Sequence, residues 1–436
     1  MSFSISSNTT KRFTVISFLL LLGLLSDAVF NHLNIHGLSN TTTWAYPATV
    51  PTLNDPGADL RILMEGAKQI THGMNPYGTK IAYPPPPFAA VFFYPFTWIS
   101  PRSAYLVQYW ILLTINFSSI CLIGLCIYNS SKESFRKKTP EIYFIALIAL
   151  ITITILTGQL HSYGIEFAME RGNFDSYTLF LAISALTSII FSPNRVLIPI
   201  VLLSAASHLK IYPAILLLIP LMHFGRRALI PIATINIAMF LTFGISNAKA
   251  FFGQIIGYMN TPYCWPGNHS IFSYVNQVIT PTFPPAQSEQ VQSWASRALT
   301  FIVIGLWLHG VIRVKNLEPK ARRWLIIAAI SFPLMGALSS TSHDYKLVIY
   351  ALPLMINLYL YCESYLEQGR LWSVAGIALT LFCGVSISHS SIIEPWPFQE
   401  TKFPALFILL LLTYFQTYGK PSLSLDQTES ESIMHK

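Results

Sequence analysis

Charge is what this 436-residue chain has least of. Asp, Glu, Lys and Arg make up 11% of the sequence, against roughly 25% in soluble domains, while 53% of the residues are hydrophobic. That balance argues against a soluble enzyme. Apolar runs of membrane-spanning length recur from end to end, so the chain reads as an all-α polytopic membrane protein. Cysteine is sparse as well. Cys121, Cys126, Cys264, Cys362 and Cys383 have no C-x-x-C spacing and no pairing pattern, which disfavours a disulfide framework or a cysteine metal site. There is no Asp-x-Asp and no His/Glu metal spacing, so no metal and no cofactor is expected. No internal repeat is evident, which weakens a transporter or flippase reading built on duplicated halves.

What the chain does have is a series of apolar segments. Candidate spans are 12–30, 102–128, 142–157, 174–192, 195–207, 211–223, 228–246, 298–314, 324–338, 346–362, 372–388 and 403–418. The net charge of +8 sits in short loops between them and is better explained as a topology determinant than as a nucleic-acid footprint. With the N-terminus inside, the clusters Arg136-Lys137-Lys138, Arg226-Arg227, Lys320-Arg322-Arg323 and Arg370 all fall on the cytoplasmic side, as the positive-inside rule requires. This reading makes residues 1–419 one integral membrane domain. Residues 31–101 form a first outer loop, 247–297 a second large one, and 420–436 a disordered cytoplasmic tail. Two segments fit no ordinary span. Phe88 to Trp98 is too short to cross and reads as an interfacial helix in the outer loop. Arg195 to His223 is broken by Ser207-His-Leu-Lys-Ile-Tyr-Pro213 and reads as two short helices meeting near the outer face, leaving a hollow above their tip.

The stretch from Asp55 to Pro87 departs most from the rest, carrying Asp55, Asp59, Arg61, Glu65, Lys68 and Lys80 ahead of a proline run. A helix is expected from about Ala58 to His72, ended by the glycine of Gly73-Met-Asn-Pro-Tyr77. Arg61, Glu65 and Lys68 fall at helical spacing and read as lacing of one solvated face. Asp59 sits where a carboxylate suits the helix N-terminus, and the residues alone leave it evenly divided between that role and a catalytic one. Tyr83-Pro84-Pro85-Pro86-Pro87 is expected to be an extended strut.

Further along, Gly158-Gln159 and Glu170-Arg171-Gly172-Asn173-Phe174-Asp175 flank a short outer segment. Arg171 beside a bare glycine suits a phosphate, and a local pairing with Glu170 or Asp175 is the plainer alternative, favoured for Asp175. Lys210 lies at membrane depth, where a charge costs about 2.5–3.5 kcal/mol on insertion scales; its neighbours His208, Tyr212 and Pro213 make it part of a polar tip rather than a stray lysine. His343-Asp344-Tyr345-Lys346 repeats that mixture, with a surface pair of Asp344 as the rival reading. Cations at the lipid boundary facing an acidic loop point to a lipid-linked phosphate substrate, held while a carboxylate takes a proton from an acceptor hydroxyl.

At these residues the sequence resembles glycosyltransferase family 87, the polyprenyl-phosphate-mannose-dependent mannosyltransferases of the GT-C superfamily. The resemblance runs through Asp59, Gly73-Met-Asn-Pro-Tyr77, Tyr83-Pro84-Pro85 with Tyr94-Pro95-Phe96, Glu170-Arg-Gly-Asn173, His208-Leu-Lys-Ile-Tyr-Pro213, His343-Asp-Tyr345 and Leu352-Pro353. It implies a GT-C bundle of about 12 transmembrane helices, with a long outward-facing first loop that contains short interfacial helices and the catalytic aspartate at Asp59. The implied reaction is inverting transfer of a hexose, mannose by the resemblance, from a polyprenyl phosphate to a lipid or glycan hydroxyl. Lys210, Arg171 and Lys346 would hold the donor phosphate, while His208, Tyr212, Asn173, Gln159, His343, Tyr77 and Tyr83 would contact substrate. The setting would be a bacterial inner membrane, both termini cytoplasmic and the site facing the periplasm. A lipid-linked glycan polymerase or ligase is the alternative enzyme. The chain departs from the family pattern at His161-Ser162 and in the length of the proline run.

Overall fold

The computed structural model describes residues 10–23, 25, 57–77, 83–131, 135, 139–160, 162–260, 267–314, 317, 320–339, 342–388 and 402–418. Readings made at 31–56, Lys80, Lys132, 136–138, His161, Cys264, Lys315, 389–401 and 420–436 lie outside these residues.

Among the described residues the chain is helical and carries no strand beyond an isolated bridge between Asn268 and His343. Helix α1 covers 10–23. The long helices that follow are α2 (Ala58–Thr71), α3 (Pro101–Ser130), α4 (Glu141–Leu160), α5 (Tyr163–Arg171), α6 (Asp175–Phe191), α7 (Leu197–Leu209), α8 (Leu218–Phe224) and α9 (Arg226–Leu241). They continue with α10 (Gly244–Asn260), α11 (Pro285–Val314), α12 (Lys320–Leu338), α13 (Ala351–Gln368), α14 (Leu371–Ser388) and α15 (Lys402–Gln416). Short helical turns occupy part of the described connections.

Among the described residues six helices are long and apolar enough to cross a membrane, or seven if α9 and α10, bent by 95°, count as one span. Twelve spans were expected. The first of them, 12–30, lies partly outside the described residues. Helices α6, α7 and α15 have 17, 13 and 15 residues, short of the roughly 20 that a straight crossing of about 30 Å takes. The span Lys346–Gln368 is almost entirely enclosed by other helices; it packs against α3, α4, α12, α14 and α15 and forms the axis of the bundle.

Helix α2 follows from its pattern. Leu60, Leu63, Met64, Ala67 and Ile70 recur on one face and are buried, while Glu65 and Lys68 face outward, as an amphipathic helix at a 3.6-residue period requires. His72 closes it and Gly73, at φ 74°, supplies the left-handed turn beyond. Pro86 is extended (φ −54°, ψ 156°), as expected of the strut, but Pro87 already begins a 3-10 turn. The segment read as one interfacial helix at 88–98 is three short turns, Pro87–Ala89, Ala90–Phe93 and Tyr94–Trp98, because Pro95 denies the chain an amide donor inside a longer helix. The stretch 247–297, read as a loop, is largely helical in its described residues, with α10 at its start and α11 from Pro285 onward.

Candidate active site

Helix α2 delivers Asp59 in its first turn onto the corner between α5 and α6. There α5 ends at Arg171 and the chain reverses through Gly172 at φ 66°. A Cβ on Gly172 would stand 2.9 Å from the Leu60 Cβ, so the corner sits on α2 only because no side chain intervenes. The Gly57 amide reinforces the contact by donating to the Glu170 carbonyl at 2.7 Å.

Three donors converge on Asp59. Arg171 Nε and Nη2 donate to Oδ1 at 2.8 and 2.5 Å, and Asn173 Nδ2 donates to Oδ2 at 2.8 Å. A carboxylate offers about four lone-pair positions, so one position on Oδ2 remains for a further hydroxyl. Arg171, expected as a phosphate ligand, has its fork on Asp59 in this structure.

Asn173 connects this carboxylate to a second one. Its Oδ1 accepts from the amides of Phe174 and Asp175 at 2.7 and 3.2 Å, capping the start of α6. Asp175, fully buried, accepts the Tyr212 hydroxyl on Oδ1 at 2.5 Å and holds Lys210 Nζ 3.3 Å from Oδ2. Lys210 also lies 4.0 Å above the Phe174 ring, a cation–π contact that keeps the ammonium in place. The local pairing of Asp175 with Arg171 is therefore not formed; Arg171 finds its partner on α2, and Asp175 finds its own in the break after α7. Asp175 is the residue that sequence reasoning missed, although a carboxylate opening an apolar helix was a usable signal.

Beyond Tyr212 stands Lys346. Its ammonium lies 5.0 Å from the Tyr212 ring and donates to Ser339 Oγ at 2.7 Å. Lys210, Tyr212, Lys346 and Ser339 share a cavity of about 350 Å³ with Pro84–Pro86 of the strut, Ile255 and Tyr258 of α10, and Leu334, Met335 and Leu338 of α12. Two lysines thus stand in a hollow otherwise lined mostly by apolar and aromatic side chains, as a phosphate carried on an apolar chain would need.

The other expected site residues lie in supporting positions. Tyr77 donates to the Pro85 carbonyl at 2.9 Å and stacks edge-on with Tyr83 and Phe251. Tyr83 is fully buried, and its carbonyl accepts from Gln254 at 3.2 Å. Burial pushes both phenol pKa values well up, so both remain neutral. These two tyrosines hold the strut against α2 and α10. His208 is buried beside Phe88 and Phe240, with Nε2 3.2 Å from Asn236 Oδ1, so it braces α7 against α9. His343 lies in the backbone bridge to Asn268, just ahead of Lys346. Gln159 lies in the last turn of α4, with its side chain outside the described positions.

The profile of Glycosyltransferase family 87 matches residues 83–340, more than half of the chain. The matched stretch contains Arg171, Asn173, Asp175, Lys210 and Tyr212; Asp59 precedes it, and His343 and Lys346 follow it. No curated protein matches the chain significantly.

Proposed function

The chain belongs to glycosyltransferase family 87, and from that premise and the site's geometry we propose that it transfers a hexose, mannose in the first instance, from a polyprenyl phosphate to a lipid- or glycan-borne hydroxyl. The observation that carries this is the pairing of a largely apolar cavity holding Lys210 and Lys346 with a carboxylate, Asp59, held by Arg171 and Asn173.

In this reading the acceptor hydroxyl docks at the open position of Asp59 Oδ2 and attacks the anomeric carbon directly. The carbon–oxygen bond to phosphate breaks as the new glycosidic bond forms, and Asp59 takes the hydroxyl proton. One carboxylate suffices for such an inverting displacement; a retaining route would need a second one as nucleophile. Lys210 and Lys346 stabilise the charge that gathers on the departing phosphate. Asp175 and Tyr212 set the position of Lys210, and Arg171 and Asn173 set that of Asp59.

The purified protein is expected to transfer labelled mannose from polyprenyl-phosphate mannose. Asp59→Asn keeps the shape but lacks the base, and its turnover should fall by about 10²–10⁴. Turnover near that of the wild type would remove Asp59 from the mechanism. A preference for a diphosphate-linked oligosaccharide would favour the polymerase or ligase reading instead.

A further inference from the structure

Away from the donor cavity, one cluster of polar side chains lies on the outer surface of the bundle. Helix α12 runs from Lys320 to Leu338 at the cavity, about 27 Å at 1.5 Å per residue. The C-terminal end of α11, joined to Lys320 through 315–319, therefore lies at the remote end. There α11 carries His309 and Arg313, and α15 with the turn after it carries Tyr414 and Tyr418. Each pair is one helical turn apart, and the two pairs meet. His309 Nδ1 lies 2.7 Å from the Tyr414 hydroxyl, which lies 2.7 Å from the Tyr418 hydroxyl. The Arg313 guanidinium stands 3.9 Å above the Tyr418 ring. His309 and Arg313 are exposed, among Leu308, Ile312 and Phe415 at 49%, 60% and 57% exposure, an apolar surface that on a spanning helix faces lipid.

An ionisable side chain on a span ordinarily turns toward the bundle interior. His309 turns outward, one turn before Arg313 and the end of α11, so its partner belongs to the lipid layer. Arg313 makes no ion pair among the described residues. Stacking occupies only the face of its guanidinium and leaves the in-plane N–H groups for an anion. Each phenol has one proton to donate. Run in either direction, the chain His309–Tyr414–Tyr418 ends in one further donor, His309 Nε2–H or the Tyr418 hydroxyl. Gly305 lies one turn further in on the same face. It is exposed, and a Cβ built on it would meet nothing within 4 Å. Glycine weakens a helix relative to alanine, and here no close neighbour explains it. Its effect is a notch in α11 between Phe301, 74% exposed, and His309.

We infer that this cluster seats the headgroup of an anionic phospholipid in the leaflet remote from Asp59. The phosphate lies on the Arg313 guanidinium and on the donor that ends the His309–Tyr414–Tyr418 chain, and an acyl chain lies in the notch at Gly305. The order of groups matches a lipid: a cation nearest the helix terminus, hydrogen-bond donors beside it, then hydrocarbon and the notch further in. Basic pockets between spanning helices hold acidic headgroups in this way. The inference needs neither the sugar donor nor the acceptor proposed above.

The test titrates phosphatidylglycerol and phosphatidylcholine onto the delipidated full-length protein in detergent, read by native mass spectrometry. The wild type should take up one phosphatidylglycerol in preference, and equal uptake of the two lipids overturns the site. Arg313→Gln with His309→Phe should weaken phosphatidylglycerol binding about tenfold, the worth of one charge-assisted hydrogen bond. Arg226→Gln with Arg227→Gln, which removes two exposed charges at the start of α9, should leave it unchanged. Equal losses in the two double variants would mean attraction to positive charge in general and overturn the proposal. Should the first double variant fold poorly, Gly305→Leu carries the test. Its side chain enters open space, so thermal stability should hold or rise while phosphatidylglycerol binding weakens. Unchanged binding in that variant overturns the proposal.

Discussion

Asp175 faces a donor on each of its oxygens, Tyr212 on one side and Lys210 on the other, and it is fully buried. It is the fixed counter-charge of two cavity ammonium groups, Lys210 directly and Lys346 across the Tyr212 ring. Removing that charge takes the carboxylate from beside Lys210, a costly change in a poorly polarisable interior. Asp175→Asn should therefore lower thermal stability without ligand, while added polyprenyl phosphate raises it by more than in the wild type, because the phosphate supplies the negative charge that the substitution removed. Turnover should fall as the product is held more tightly. Equal ligand-induced thermal shifts in the two proteins would refute this role. Lys210 was legible in the sequence because a charge at membrane depth needs a reason. Its partner was not. Spacing along the chain favours neighbours, yet Arg171 reaches Asp59, 112 positions earlier, and Asp175 reaches Lys210 in the break after α7.

At the scale of elements, α2 and the strut behave as one part. Gly66, midway along α2, is bare where the Tyr83 ring lies: a Cβ there would come 2.0 Å from Tyr83 Cδ2. That ring is fully buried and has no room to retreat. Gly66→Ala should cost about 1–3 kcal/mol, as overpacking commonly does, and should push the strut away from α2. Because Pro84–Pro86 wall the donor cavity, the substitution should also raise the donor KM while leaving the Asp59 contacts in place. Denaturation and steady-state kinetics on the same preparation check both effects, and a stable variant with unchanged donor KM would separate the strut from the site. Helix α2, its glycine stop and the extended prolines were readable from the sequence, because periodicity and backbone restriction act locally. Helix α11 was expected only from residue 298 but starts at Pro285. Its first turns, rich in Gln and Ser, carry no apolar period to announce a helix, and a proline in the first helical turn was the single cue.

For the molecule as a whole, charge divides between the two ends of the bundle. On α12, Arg322 and Leu338 are about 24 Å apart at 1.5 Å per residue, with Leu338 at the donor cavity and Arg322 at the far end. There Arg322 pairs with Glu363, which also accepts the Tyr359 hydroxyl at 2.8 Å. Arg12 donates to the Leu366 carbonyl at 2.9 Å, and Arg313 lies over the Tyr418 ring. Arg12, Arg313 and Arg322 thus gather at the end remote from Lys210 and Lys346, whereas Arg171 stands at the site, on Asp59. Basic residues flanking spans are retained on the cytoplasmic side, so the site end is proposed to face outward. In a background with the native cysteines replaced, Met74→Cys, exposed just beyond α2, should react with a membrane-impermeant maleimide in intact cells. Arg370→Cys, in the exposed turn before α14, should react only after the membrane is opened. The reverse pattern would turn the protein over, and the lipid acceptor and prenyl donor would then have to be sought on the cytoplasmic leaflet.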